Sequence, residues 1–373
     1  MKKVRKIMLI LLIIIGLIAL SGALFVNQAK FGKSPSGARL ERLAKSPHYR
    51  DGRFYNLIDT PNLSEGVGWL EMMAEFARKK ERQRPSVPVP SVKTDLSALD
   101  GDSLVWFGHS SFFLRLGGQN ILADPVFSPN ASPFSFTTKA FDGTNIYSPA
   151  DLPEIDYLLI SHDHWDHLDY PTVTALRTKV KKVICGLGVG AHFEHWGFEP
   201  SQIVEGDWFD EFDFDNGLKI TLVPARHFSG RNLLRSNVTL WTGFVLETGG
   251  RRIFYSGDTG YGPHFKDIGD RFDGFDLAIV EDGQYDRNWK YIHMMPEEVA
   301  LAAGDLKARA IMPVHNSKFV IANHTWDDPL IRLVAALRTQ RVVPAKLVTP
   351  IIGQKVDLAD PDQRFSPWWA DLN

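Results

Sequence analysis

Nine residues, Ser161 to Asp169, read SHDHWDHLD and bring three histidines and three aspartates together. A surface turn is ordinarily built from Gly, Asn, Pro and Ser and has no use for imidazoles at alternate positions. In an extended segment His162 and His164 point to the same side, where both can reach one ion, while Asp166 and His167, a turn further on, can face a second. Imidazole nitrogen and carboxylate oxygen are the donors expected of a hydrolytic zinc site, and the lack of thiolates tells against a closed structural one. Three more segments end in a potential ligand: His227 follows TLVPAR, Asp258 follows IFYSG, and His315 follows AIMPV. Any one of these would more often be a packed or surface residue; together they point to a metal.

Strands must position such groups. The apolar run YLLI, Tyr157 to Ile160, reads as a short buried strand, so the cluster sits where a strand of an α/β sheet ends, the usual place for chemistry in such folds. From Asp102 onward strand and helix signals alternate. SLVWFG, FFLRL, NILADP, KKVICGL, LKITLVPA, TLWTGFVLET, RRIFYSGD, FDLAIVED and ARAIMPVH read as strands, and PTVTALRTK, PEEVALAAGDL and DPLIRLVAALRTQ as helices. Hairpins mixed with strand-helix units predict two packed sheets with helices outside.

The 373 residues, 44% hydrophobic and 23% charged with a net charge of -2, suit one large or two smaller globular domains. They lack the excess of Lys and Arg expected of a nucleic-acid binder. The single cysteine, Cys185, excludes an internal disulfide and reads as a buried strand residue. At the N-terminus MKKVRK carries four positive charges, and Ile7 to Val26 follow without any charge. Twenty such residues span a bilayer core of about 30 Å, longer than the apolar region of a cleaved signal, which favours an uncleaved signal anchor over a signal peptide. The basic flank should stay in the cytoplasm and the rest of the chain outside, membrane-anchored; the alternative is secretion after cleavage.

Residues 27–100 are expected to form an extension. Within it GVGWLEMMAEFARKKERQR predicts an amphipathic helix with Trp69, Leu70, Met73 and Phe76 on one face, packed on the domain, and RPSVPVPSV predicts an extended linker. A catalytic domain over 101–357 and a tail over 358–373 complete the expected organisation.

The sequence resembles the metallo-β-lactamase fold hydrolases, whose signature H-x-H-x-D-H stands here as HDHWDH. VWFGHSSFFL, ILADPVFS, VPARHFSGR, FYSGDTGY, HMMPEEVA and PVHNSKFVIANHTWDDP occur in the order of the N-acyl-phosphatidylethanolamine-hydrolysing phospholipase D branch and its bacterial relatives. The resemblance covers about Leu104 to Pro329. It implies an αββα sandwich, preceded here by the transmembrane helix, and a site for two zinc ions. By that likeness His162, His164 and His227 hold one ion, Asp166, His167 and His315 the other, and Asp258 bridges. Coordination to two zincs lowers the pKa of a shared water to about 7 and gives a metal-bridging hydroxide as nucleophile. His293, in YIHMMPEE, stands where the resemblance places a substrate-side histidine and is the candidate acid or oxyanion donor. His109 reads as a second-shell or pocket residue, Asp163 as a possible partner of a ligand histidine, and His324 as structural or near the pocket.

The leading expectation is therefore a membrane-tethered zinc phosphodiesterase acting on phospholipids such as N-acyl-phosphatidylethanolamine. A zinc hydrolase of another ester, such as a lactone, competes with it, because one fold and one metal pair serve many reactions. So does a non-catalytic metal-binding scaffold, against which the retention of all seven ligand residues argues. Few cations in Phe134 to Pro149 tell against an anionic headgroup. The sequence leaves the oligomeric state open.

Overall fold

The structure, a computed structural model, describes residues 2–78, 80–231, 235–340 and 346–372. The chain opens with helix α1 (Lys2–Val26), none of whose residues is buried. There follow α2 (Ala38–Leu43), the small hairpin of β1 (Tyr49–Arg50) and β2 (Arg53–Phe54), and α3 (Trp69–Ala77). The first half of the domain comprises β3 (Ser103–Trp106), β4 (Phe112–Leu116), β5 (Gln119–Ala123), β6 (Ile155–Ile160), α4 (Tyr170–Leu176), β7 (Val180–Gly186), α5 (Gly190–His195) and β8 (Ile203–Gly206). The second comprises β9 (Glu211–Asp213), β10 (Lys219–Val223), β11 (Gly243–Thr248), β12 (Arg251–Tyr255), α6 (His264–Phe272), β13 (Leu277–Glu281), α7 (Pro296–Asp305), β14 (Ala310–Val314), α8 (Asp328–Thr339), β15 (Lys346–Leu347) and β16 (Lys355–Asp357).

Two seven-stranded sheets result, in the orders β16-β3-β4-β5-β6-β7-β8 and β15-β14-β13-β12-β11-β10-β9. In each, an antiparallel meander passes into a parallel run: β5 to β8 in the first sheet, β12 to β15 in the second. Parallel strands with helical crossovers must be covered on both faces, and the side-chain alternation obeys this. In β6, Tyr157 and Leu159 enter the layer between the sheets with Phe112, Leu222, Phe244 and Tyr255. Leu158 and Ile160 face outward to Val173, Leu176 and Phe193 of α4 and α5. Across the sandwich, Phe254 and Val280 meet Phe265, Val299 and Leu333 of α6, α7 and α8. This is the expected αββα arrangement.

Three readings from composition change on folding. The strand expected from Thr239 begins at Gly243. Residues before it cross between sheets instead: the Leu240 and Thr242 amides donate to Leu187 and Ser161 carbonyls, which ties the second sheet behind the metal motif. The segment 84–92 is extended but docked, with Val89 in the inter-sheet core and its amide on the Asp142 carbonyl, and Ser91 bridged to Ile352. Trp368 and Trp369 of the tail join that same core. Isolated apolar residues among prolines and charges give no periodic signal, yet Val89, Trp368 and Trp369 fill places against the sandwich, while Val87 and Val92 stay exposed. In α3, the contacts fall on Met72, packed against the cluster of Trp289, Ile292 and Ala322, and on Glu75, which accepts from Asn288 Nδ2 at 2.8 Å. Leu70 and Met73 of the expected apolar face are exposed, and the side chains of Trp69 and Phe76 lie outside the described residues.

Candidate metal centre

Five strands deliver side chains to one edge of the sandwich. His109 follows β3, residues 162–167 follow β6, His227 follows β10, Asp258 follows β12 and His315 follows β14. His227, Asp258 and His315 come from the second sheet, so the centre exists only when the two sheets are packed.

The geometry divides into two groups meeting at one carboxylate, with a third, overlapping set of Asp258, Glu281, His293 and His315 beside them. His164 Nδ1 lies 2.8 Å from His162 Nε2 and 3.3 Å from His227 Nε2. Asp258 Oδ2 lies 3.8 Å from each of those two Nε2 atoms. On the other side Asp258 Oδ2 is 3.0 Å from His167 Nε2, and Asp258 Oδ1 is 3.1 Å from His315 Nδ1. His109, Asp166, His167 and His315 form the second group, their donor atoms within 4.8 Å of one another. All seven residues expected as ligands are thus brought together.

The donor set fits divalent ions. His167 Nε2, His315 Nε2 and Asp258 Oδ1 are buried without a hydrogen-bond partner, and close approach without hydrogen-bond geometry is what ligand atoms converging on a cation show. Each orphan would otherwise cost the desolvation of a polar group, about 1–3 kcal/mol. Burial pushes His162, His227 and His315 well below the ordinary histidine range and His164 down to about 4, so these imidazoles are neutral and keep a lone pair. Burial also pushes Asp258 up to about 7, against the pull of His167. His167 rises well above its usual range because the Asp258 and Asp166 charges outweigh its burial.

Residues behind the donors fix their orientation. Asp124, at the end of β5, accepts from His167 Nδ1 at 2.8 Å, from the Ser161 amide at 2.8 Å and from the Tyr255 hydroxyl at 2.5 Å. The His227 Nδ1–H donates to the Ile292 carbonyl at 2.9 Å, which leaves Nε2 free for the cluster. His109 Nε2 donates to Asp166 Oδ2 at 2.9 Å. Although burial acts to raise Asp166, the His167 charge and the His109 hydrogen bond hold it well below the usual carboxylate range. Positive φ values at His109 (54°), Asp124 (40°), Gln284 (55°) and His315 (66°) mark a strained rim. Two of these brace each other, the His315 amide donating to the His109 carbonyl and the His109 amide to that of Asn316.

Two expected neighbours stand elsewhere. Asp163 turns away from the ligand histidines; it accepts from the Gly230 amide at 2.8 Å and the Thr239 hydroxyl at 3.0 Å and meets His192 at 3.3 Å. His324 is not among the residues lining the cavity over the donor groups. Its Nε2 accepts from the Gln284 amide at 2.8 Å and its ring stacks on Tyr285.

His293 does line that cavity, whose volume is about 430 Å³. Its Nδ1 lies 2.8 Å from Glu281 Oε2, at the buried end of β13, and its ring stacks 5.2 Å from that of His315. The remaining walls are Asn62, Leu63, Met72, Phe228, Gln284, Trp289, Ile292 and Ile321, with His164, Asp166, Asp258 and His315 at the floor. Close backbone approach builds this corner: a Cβ on Gly260 would lie 2.0 Å from the Tyr291 carbonyl oxygen, and one on Gly283 2.2 Å from that of His315. Sequence reading missed Glu281, Asp124 and the whole apolar wall. For Asp124 a signal existed, an aspartate closing the strand beside the ligand strand in ILADP.

Residues 119–316 match the family model described as a beta-lactamase superfamily domain. The chain belongs to that superfamily. It is a metal-dependent hydrolase of the metallo-β-lactamase fold. It is 38% identical over 336 residues to an uncharacterized protein of Mycobacterium tuberculosis, covering 87% of this chain and 88% of that one. It is 32% identical over 248 residues to N-acyl-phosphatidylethanolamine-hydrolyzing phospholipase D 1 of Caenorhabditis elegans, covering 62% and 68%. Among solved structures it is similar in fold to Igni18, a metallo hydrolase of the archaeon Ignicoccus hospitalis, with a TM-score of 0.51 and 21% identity over 68% of this chain and 97% of that one.

Proposed function

We propose that this superfamily member is a two-zinc hydrolase of phosphodiesters whose substrates are phospholipids such as N-acyl-phosphatidylethanolamine. In this reading His162, His164 and His227 hold one ion, Asp166, His167 and His315 the other, and Asp258 stands between them. The substrate class rests on one observation, an apolar-walled cavity opening directly over both donor groups. Such a wall accepts acyl chains and keeps bulk water from the reacting bond. The phospholipase D name of the Caenorhabditis relative supports the same class. When bound, zinc supplies Lewis acidity and lowers the pKa of a coordinated water. The chain itself supplies orientation: Glu281 engages His293 Nδ1 and leaves Nε2 as the nitrogen able to move a proton at the leaving oxygen. In the same reading α1 anchors the protein, with the basic end in the cytoplasm and the catalytic domain outside.

One observation favours the second reading, a neutral ester such as a lactone: no Lys or Arg lines the cavity among the described residues. The experiment that separates the two uses the full-length, zinc-loaded protein in detergent. Metal content near two zinc per chain, with higher kcat on phosphodiesters and diacyl phospholipids than on matching monoesters, is the expected result. Ready hydrolysis of lactones with every diester untouched would replace the first reading by the second.

A further inference from the structure

We infer that the loop from Ser132 to Thr137, carrying Phe134 and Phe136, is a second membrane contact that lies on the lipid surface beside the anchor. The inference rests on reading α1 as a membrane span. Measured from the last charge at Lys6, the apolar stretch Ile7 to Val26 is long enough to cross the hydrocarbon core, which brings Phe25 to the level of the headgroups. The Phe25 ring stacks on Phe134 at 5.0 Å, and Phe134 contacts Phe136 at 5.8 Å. Phe134 therefore shares the depth of Phe25. Its neighbour Phe136 is 73% exposed, the most exposed aromatic ring among the described large apolar residues.

The surroundings match a water–lipid boundary. Lys30 Nζ sits 4.6 Å over the Phe25 ring and donates to the Pro133 carbonyl at 2.7 Å, so the cation and the loop are fixed at the helix end. A cationic head held over an aromatic ring where an apolar helix ends is a pairing suited to that boundary, where aromatic and basic side chains gather. A lipid surface is the occupant to which the geometry commits, because the apolar loop is continuous with a helix that is itself wrapped by lipid. A protein covering Phe134 would have to displace lipid from Phe25 to do so.

Several contacts tie the junction to the metal motif, which makes the membrane contact orienting. Phe31 packs edge-on against Trp165 at 5.1 Å, and Trp165 separates His164 from Asp166 in the chain. Arg231, buried under the Trp165 ring, donates to the Lys30 carbonyl at 2.7 Å and to that of Leu168 at 2.6 Å. The Lys33 amide donates to His192 Nδ1 at 3.0 Å. Seated through Phe25, Phe134 and Phe136, the edge bearing the metal motif is held against the bilayer.

The test places a fluorophore sensitive to polarity on Phe136→Cys in the full-length protein in phosphatidylcholine vesicles. Cys185 is fully buried and does not compete for the label. Ile331→Cys, on the outer helix α8, is the aqueous control. The expected result is a blue-shifted label at 136, quenched several-fold more than that at 331 by lipids brominated near the headgroup, and shielded from iodide. A label at 136 as open to iodide as that at 331, on protein that floats with vesicles after alkaline washing, overturns the loop contact and leaves the anchor standing. Protein that fails to float overturns the anchor and the inference with it. Shielding that grows with protein concentration in detergent alone assigns the loop to a second copy and also overturns the inference.

Discussion

The floor and the wall of the cavity are made in different ways. The floor is built by residues that leave strand ends within a few positions: His162, His164, Asp166 and His167 after β6, then Asp258 and His315 after their own strands. The wall is gathered from distant, irregular segments: Leu63 and Met72 before the sandwich begins, Phe228 beyond β10, Trp289 and Ile292 after β13, and Ile321 after β14. The difference teaches that donor groups and cavity wall are encoded separately, the first at sheet edges that the fold fixes, the second in connections that can change without disturbing it.

Loss of a floor ligand should have the largest effect. His315→Ala should abolish turnover, and Asp258→Asn should lose at least one metal per chain together with most activity, both read by elemental analysis alongside kinetics. Two zincs and near-native turnover in Asp258→Asn would break the assignment of that carboxylate to both ions. Next, His293→Ala should lower kcat by roughly 10² to 10⁴ while metal content stays unchanged, since it belongs to the wall. The loss should shrink with a leaving group such as nitrophenolate, which needs no proton. Smaller again, His109→Ala should weaken metal affinity about 10- to 100-fold, the usual cost of removing a residue that orients a ligand. This is measured by chelator competition. Smallest, Met72→Ala should raise KM for a long-chain substrate by roughly 10-fold and leave kcat on a small soluble diester unchanged. Equal effects on both substrates would erase the distinction between floor and wall.

The same division decides what could be read in the sequence. HDHWDH was legible because ligand geometry demands particular residue types at fixed spacing on an extended segment, and the strands before His227, Asp258 and His315 carried their own apolar runs. The wall was not legible, because Leu63, Met72 and Ile321 are ordinary apolar residues whose role depends on tertiary position alone. In α3 the visible periodicity pointed to Trp69, Leu70, Met73 and Phe76; of these Leu70 and Met73 are exposed, and among the described side chains the docking contacts come from Met72 and from Glu75, which accepts from Asn288. Asp163 illustrates the reverse limit. Its place inside the motif suggests service to the metals, yet its side chain fastens the metal loop to Gly230 and Thr239.

The pairing of β16 with β3 bears on how the protein is born. Lys355 to Asp357 close the first sheet against Ser103 to Val105, across a separation of some 250 residues. Until the last stretch of chain emerges, β3 presents a bare edge, and Trp368 and Trp369 are missing from the core beneath it. Contacts so distant in sequence slow folding, because the loop must close before they reward it. A stop placed before Lys355 would leave every predicted ligand in the chain and still deny the site its frame.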